Sequence, residues 1–175
     1  FDAAGNLYVS ESGAFRQVNG AIYRFDAAGR GTLWHRGPFD FPNGMALSAD
    51  GKKLYVVCSF LPGIEQVVIR ADGSAGERSV LVHLPRTCPD GIAVDTEGHL
   101  LISCYAPNAI YCLGPDGQLT TLIHDWEAHG LSNPTNIAFG GAENRQLFIA
   151  NLGRWHIARM ELDHPGIPLT KKGNE

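Results

Sequence analysis

Three side chains that carry oxygen occupy the same position in three similar segments. Asn43, Asp90 and Thr135 each follow a proline and stand four residues before the end of a short apolar run. Oxygen ligands that meet at one place suit a hard cation such as Ca²⁺. A carboxylate beside such a cation could also take a proton from a bound water as a general base. One interpretation of Asn43 and Asp90 is therefore a metal site in which Asp90 also acts as the catalytic base.

The alternative interpretation of the same residues is structural. Pro-Asn-Gly at 42–44 and Pro-Asp-Gly at 89–91 are turn-forming triplets, in which an Asn or Asp side chain bonds the nearby backbone. One isolated triplet of this kind would favour a turn. Two triplets at one register, on strands that converge, favour a metal site over a simple turn.

Further polar side chains could recognise a substrate at the end of the predicted strands where Asn43, Asp90 and Thr135 lie. Arg16, Tyr105 and Arg154 fall in the segments that should connect second and third strands, and Thr135 shares the register of Asn43 and Asp90. We expect these four residues to bind substrate, although ordinary loop polarity also explains each of them singly. Several other chemistries lack their motifs, because the chain has no Gly-x-Ser-x-Gly elbow, no P-loop and no His-Glu-x-x-His pair.

A repeat along the chain indicates which elements would position these residues. Leucine opens the second strand of each unit at Leu7, Leu54, Leu100 and Leu147, with steps of 47, 46 and 47 residues. Four short strands in a period of this length are typical of a β-propeller blade. No segment shows a helical pattern of useful length, so the sequence predicts an all-β propeller.

The chain holds roughly 3.7 of these periods, or about four blades. The predicted blades cover residues 1–37, 38–84, 85–126 and 127–169, within one partial propeller domain that spans 1–175. The last blade lacks a convincing closing strand, because Pro165, Gly166 and Pro168 follow its third strand. Open blade edges predict either a piece of a longer propeller, which we favour, or a short chain that self-associates through those edges.

Composition narrows the class of partner. The formal net charge is −4, with 18 acidic against 14 scattered basic residues, which disfavours a nucleic-acid surface. There is no apolar run of about 18 residues, so we expect no membrane span. Four cysteines without CxxC spacing predict reduced thiols and, by default, a cytoplasmic location.

The order of these motifs resembles the SMP-30/gluconolactonase/LRE family of six-bladed propeller lactonases. The segments at 42–51, 89–95 and 134–141 carry the resemblance, and the ending from Leu152 to Leu169 is similar to the C-terminal blade of bacterial members. The resemblance implies that the chain forms the C-terminal four blades or so, and that its substrate is a sugar or other small-molecule lactone.

The same resemblance implies one divalent cation, Ca²⁺ or Zn²⁺, on the propeller axis. Asn43 and Asp90 match two residues of the family's site, and Asp90 matches the proposed base for attack of water on the lactone carbonyl, which the metal polarises. The family's Glu ligand and a second Asn have no counterpart in residues 1–175. The chain is therefore identified as a lactonase, or as an incomplete and inactive part of one.

Two other functions remain open on this scaffold. A strictosidine-synthase-like enzyme shares the Ala-Leu-Ser-Ala-Asp-Gly hairpin at 46–51 but relies on a buried Glu, and the triplet at 89–91 argues against it. A non-catalytic propeller that binds a ligand at its mouth is the third hypothesis, since the fold hosts many functions.

Overall fold

A computed structural model describes residues 1–168 as four antiparallel sheets without helices. The strands are β1 (Leu7–Glu11), β2 (Gly20–Phe25), β3 (Gly31–Phe39), β4 (Pro42–Leu47), β5 (Lys53–Cys58), β6 (Gly63–Ile69), β7 (Ala75–His83), β8 (Cys88–Val94), β9 (Leu100–Ala106), β10 (Ala109–Leu113), β11 (Leu119–His124), β12 (Pro134–Gly140), β13 (Gln146–Asn151) and β14 (Ile157–Glu161). In chain order, the first sheet is β1-β2-β3, the second β4-β5-β6-β7, the third β8-β9-β10-β11 and the fourth β12-β13-β14. Among residues 1–168 there is no helix that could cross a membrane.

Aspartate side chains organise the hairpins at one end of the sheets. Asp95 Oδ1 accepts hydrogen bonds from the backbone N–H groups of Glu97 and His99, at 3.0 and 2.8 Å. Gly98 completes this turn with a φ of 87°, a conformation that residues with a Cβ adopt only at a cost. Asp2 and Asp26 accept the same pair of backbone hydrogen bonds in their own hairpins. These polar turns fix strand register at the end of the propeller that faces away from the predicted site.

The hydrophobic core lies between consecutive sheets. Alternate residues of β5 point to opposite sides, so that Leu54 and Val56 pack towards the first sheet and Val57 packs towards the third. The third sheet repeats this arrangement, with Ile102 facing the second sheet and Leu101 facing the fourth. Three buried clusters therefore join four sheets face to face. This stacking of repeated sheets confirms the predicted all-β propeller architecture.

The inner strands β4, β8 and β12 lie side by side at the centre. A Cβ added at Gly44 would stand 2.6 Å from the carbonyl oxygen of Asp90, and one added at Gly91 would stand 2.7 Å from the Cα of Asn136. Glycine is therefore required where each inner strand meets the next. The first sheet begins with β1, which occupies the second-strand position and contacts β4 directly.

Two segments differ from simple four-strand blades. Strand β3 continues through Phe39, past the predicted boundary after residue 37. Register shifts against β2 accommodate residues 35–39 within the paired strand. After β14 the chain crosses to the neighbouring β8–β9 hairpin, where the Ile167 N–H donates to the Val94 carbonyl at 3.1 Å. Within residues 1–168 the fourth sheet has no fourth strand.

Candidate metal and active site

Each inner strand contains a β-bulge at its first residues. The pairing register shifts between Pro42 and Met45 in β4, and in β8 it shifts on both sides of Pro89, up to Gly91. Strand β12 shifts at the same position, between residues 134 and 136. A bulge bends its strand and re-aims the side chain of the extra residue. The extra residues include Asn43, Asp90 and Thr135. The three residues that the sequence aligned therefore occupy the same kind of bulge, one in each inner strand.

The structure brings the side chains of Asn43 and Asp90 into contact. Asp90 is partly buried, and this burial raises the pKa of its carboxyl above the ordinary value of 3.8. A hydrogen bond from the Asn43 side chain favours the charged form and opposes that rise. The pair thus places an amide donor beside a partly desolvated carboxylate.

Serine side chains hold this pair in place. Ser59 Oγ donates to the carbonyl of Pro89 at 2.7 Å and accepts from Asn43 Nδ2 at 3.4 Å. Ser10 Oγ donates to the Asn43 carbonyl at 2.8 Å. In the third sheet Ser103 Oγ accepts from the Gly91 N–H at 3.1 Å, next to Asp90.

The sequence analysis missed these serines, although a signal for two of them exists. Ser10 and Ser103 stand three residues after the leucine that opens the second strand of their units, and each directly follows an apolar run. In both cases the serine hydroxyl forms a hydrogen bond with a backbone group of an inner strand. Ser59 has no such repeat and is identified by its contacts alone.

The four predicted substrate-binding residues belong to separate strands and loops. The guanidinium of exposed Arg16 lies over the Phe15 ring, 5.4 Å from its centroid. Tyr105 is the penultimate residue of β9, with 39% of its surface exposed, and Arg154 is exposed in the β13–β14 loop. Thr135 is partly buried on β12. Within residues 1–168, no hydrogen bond or ion pair links these four side chains to Asn43 or Asp90, so their role in substrate binding stays a prediction.

The donor atoms fit part of a coordination sphere for a hard cation. The hydrogen bonds of residues 1–168 leave the Asn43 amide oxygen without a donor, beside the Asp90 carboxylate. Amide and carboxylate oxygens are ligands that Ca²⁺ prefers. In that same part of the chain, no three His, Cys, Asp or Glu side chains come close enough to hold a metal ion. Asn43 and Asp90 therefore supply two ligands rather than a complete site.

A cavity of about 970 Å³ extends from Asn43 along the inner strands. Ser10, Ala93 and Ala138 contribute to its walls, and Asn144 and Pro168 line its far part. Alanine at corresponding positions of β8 and β12 leaves this space open. The cavity gives the Asn43 end of the site room for a small molecule and water.

Comparison with known proteins places this geometry in a family. The model of the SMP-30/gluconolactonase/LRE-like region matches residues 1–152. A gluconolactonase of Zymomonas mobilis is 29% identical over an alignment that covers 86% of this chain and 48% of that protein. The chain thus spans about half the length of this curated relative.

Solved structures show the same fold. A protein described as a putative gluconolactonase superposes with a TM-score of 0.77 at 20% identity, over 94% of this chain and 57% of its own. The calcium-binding protein regucalcin of Agrobacterium tumefaciens gives 0.69 at 24% identity, over 84% and 50%. A gluconolactonase of Xanthomonas campestris gives 0.69 at 25% identity, over 85% and 51%.

These matches agree with the resemblance that the three inner-strand segments indicated. The family model covers most of the chain and includes Asn43, Asp90, Thr135 and the serines around them. The chain therefore belongs to the SMP-30/gluconolactonase/LRE-like family.

Proposed function

We propose that this chain contributes half of the active site of a metal-dependent lactonase that opens a sugar or other small-molecule lactone. The observation that carries the proposal is the contact between Asn43 and Asp90, on neighbouring inner strands that bulge at the same position. The gluconolactonase relatives support the reaction class. The calcium-binding relative supports a divalent cation, Ca²⁺ or Zn²⁺.

In this proposal Asn43 and Asp90 hold the cation, which would polarise the carbonyl of the lactone. Two ligands are fewer than the six to eight that Ca²⁺ takes, so water or side chains outside this chain complete the sphere. Asp90 takes a proton from the attacking water while the water oxygen bonds to the carbonyl carbon. The ring C–O bond then breaks, the ring oxygen receives the proton from Asp90, and the product is the hydroxy acid.

The remaining residues would position the substrate. Ser59 and Ser10 hold the backbone on which Asn43 and Asp90 are placed, through the hydrogen bonds described above. Arg16, Tyr105, Thr135 and Arg154 remain the proposed contacts for substrate oxygens. Since they lie on separate strands and loops, they would meet around a ligand rather than through one another.

Replacement of Asp90 tests the proposal. In the full-length protein supplied with Ca²⁺, we expect Asp90→Asn to lower kcat for lactone opening by about 10²–10⁴-fold, because the base is lost while the side-chain shape is kept. Activity is measured by titrating the acid released, and circular dichroism checks the fold. Asp125→Asn, at an aspartate of the β11–β12 connection outside the site, should retain wild-type activity.

Two results would contradict the proposal. Near wild-type turnover by Asp90→Asn would show that Asp90 is not the general base. Wild-type activity that is unchanged by a chelator would show that the reaction needs no cation, and would favour the strictosidine-synthase-like alternative.

A further inference from the structure

Three phenylalanines form a continuous aromatic group on the side of the propeller where the inner strands begin. Phe15 lies in the β1–β2 loop, Phe41 between β3 and β4, and Phe60 between β5 and β6. The Phe15 and Phe60 ring centroids are 5.4 Å apart with planes at 84°, and those of Phe41 and Phe60 are 4.6 Å apart at 31°. We call Phe15, Phe41 and Phe60 the aromatic wall.

The aromatic wall is joined to the candidate site by backbone and serine contacts. Phe41 precedes Asn43 by two residues, and its carbonyl accepts a hydrogen bond from the Ser59 N–H at 3.1 Å. Ser59 precedes Phe60 and contacts both Asn43 and the Pro89 carbonyl. The rings are thereby held beside the pair formed by Asn43 and Asp90.

Core packing does not account for the aromatic wall. None of its three residues belongs to the buried clusters between the sheets of residues 1–168. Phe15 keeps 69% of its surface exposed. Phe41 has a φ of 57°, which is unfavourable for a bulky residue, and such backbone outliers cluster at ligand sites.

The chemistry of the wall indicates the part of a substrate that it would contact. The rings present apolar faces and edges, and the guanidinium of Arg16 lies over the Phe15 ring. A polyhydroxylated ring needs hydrogen-bond partners that this wall does not offer, because unpaired hydroxyls lose binding energy when water is excluded. An alkyl or aryl group gains from contact with aromatic rings without that loss.

We propose that the aromatic wall binds an apolar substituent of the lactone, and that the preferred substrate is a lactone bearing an alkyl or aryl group. This inference rests on the proposed lactonase function. It narrows the substrate class from lactones in general to those with an apolar arm next to the ring that is opened.

Matched substrates test the wall separately from the chemistry. In the full-length protein with Ca²⁺, kcat/KM is measured for δ-decanolactone, which carries a pentyl group, for δ-valerolactone, which carries none, and for glucono-1,5-lactone. We expect the wild type to favour δ-decanolactone. Phe15→Ala should lower kcat/KM for δ-decanolactone relative to that for δ-valerolactone by about tenfold, mainly through KM, as expected when a substrate loses part of its apolar contact with the enzyme.

Two further variants control for folding and for surface aromaticity. Phe60→Leu keeps an apolar side chain within the wall, so the fold is retained and we expect a smaller change in the same direction. Trp126→Ala removes a side chain that is 80% exposed on the β11–β12 connection, outside the wall, and should leave the preference between substrates unchanged.

The outcomes separate the two proposals. If δ-valerolactone is opened and Phe15→Ala and Phe60→Leu leave the preference unchanged, the wall proposal is wrong while the lactonase survives. If Phe15→Ala impairs glucono-1,5-lactone as much as δ-decanolactone, the wall stacks on sugar rings and the apolar-substituent proposal is also wrong. If no lactone is opened at any Ca²⁺ concentration, the proposed function itself fails.

Discussion

The charge of Asp90 would favour binding of a cation, but it destabilises the fold when no metal is bound. Burial raises the pKa of its carboxyl, and the hydrogen bond from Asn43 offsets only part of that effect. A folded protein usually avoids a partly desolvated carboxylate without a cationic partner. A divalent cation would relieve this penalty, which is why the same residue is the strongest candidate for both binding and catalysis.

We therefore predict that Asp90→Asn stabilises the metal-free protein at neutral pH. Above pH 3.8 the unfolded chain releases this proton more readily than the folded chain, so folded stability falls as pH rises through the raised pKa and stays lower above it. Asparagine does not ionise, so the variant keeps the stability that the wild type loses as pH rises. Thermal unfolding in chelator should give a higher Tm for the variant at pH 7, and the difference should shrink as pH falls through the raised pKa towards 3.8.

Asp125→Asn supplies a control of opposite sign. Backbone N–H groups of Leu131 and Gly130 lower the pKa of Asp125, so its charge stabilises the fold and that stability is lost as pH falls through the lowered pKa. This variant should have a lower Tm at pH 7. Added Ca²⁺ should raise the Tm of the wild type more than that of Asp90→Asn. A metal-free Asp90→Asn that melts below the wild type at pH 7 would contradict the burial argument.

At the scale of elements, the repeat predicted the inner strands but not their bulges. Periodic leucines and turn triplets are visible in one dimension, so the four units and the register of Asn43 with Asp90 could be predicted from sequence. A bulge is a mismatch in the pairing of two strands, so it cannot be predicted from the sequence of either strand alone. For the same reason Ser59, which acts through the Pro89 carbonyl of the next sheet, could not be identified before the sheets were assembled.

The close approach of inner strands predicts a cost for any side chain at Gly44. The Cβ of Gly44→Ala would meet the Asp90 carbonyl oxygen at 2.6 Å and the Gly91 Cα at 2.8 Å, both of them backbone atoms. We expect this variant to lose about 1–3 kcal/mol in the free energy of unfolding, the usual cost of overpacking. Lactone opening should fall as well, because the displaced strand carries Asp90.

Gly130→Ala is the matched control for this substitution. Its added Cβ would find only Asp125 Oδ2, at an ordinary contact distance of 3.6 Å. Denaturant unfolding of both variants measures the difference directly. Equal stability of Gly44→Ala and Gly130→Ala would show that the inner strands separate without cost, and would weaken the assignment of Gly44 to close packing.

Across the whole molecule, three buried clusters join four sheets, and the outer faces of the first and fourth sheets keep apolar side chains exposed. Val9, Tyr23 and Leu33 form one cross-strand row on the first sheet, each with 37–40% of its surface exposed. On the fourth sheet Phe148 and Ile157 are 36% and 69% exposed. Which faces remain uncovered depends on the order in which the sheets stack.

We propose that these two faces are covered by self-association when residues 1–175 are produced alone. A row of exposed apolar residues and the open edge of a sheet both favour pairing with a second copy. Sedimentation velocity across increasing protein concentration should show dimers or larger species. Tyr23→Lys combined with Ile157→Lys should shift the distribution towards monomer, because each lysine places an unpaired charge on a face that must lose water.

Trp155→Lys is the control for this surface test. Trp155 is fully exposed in the β13–β14 loop, outside the strands of both sheets, so lysine there adds one positive charge, against two in the double variant, without blocking the contact. We expect it to associate like the wild type. If all three proteins remain monomeric at the highest concentration reached, the exposed faces tolerate water and the self-association proposal is wrong. If Trp155→Lys dissociates as fully as the double variant, added charge rather than the two faces governs association.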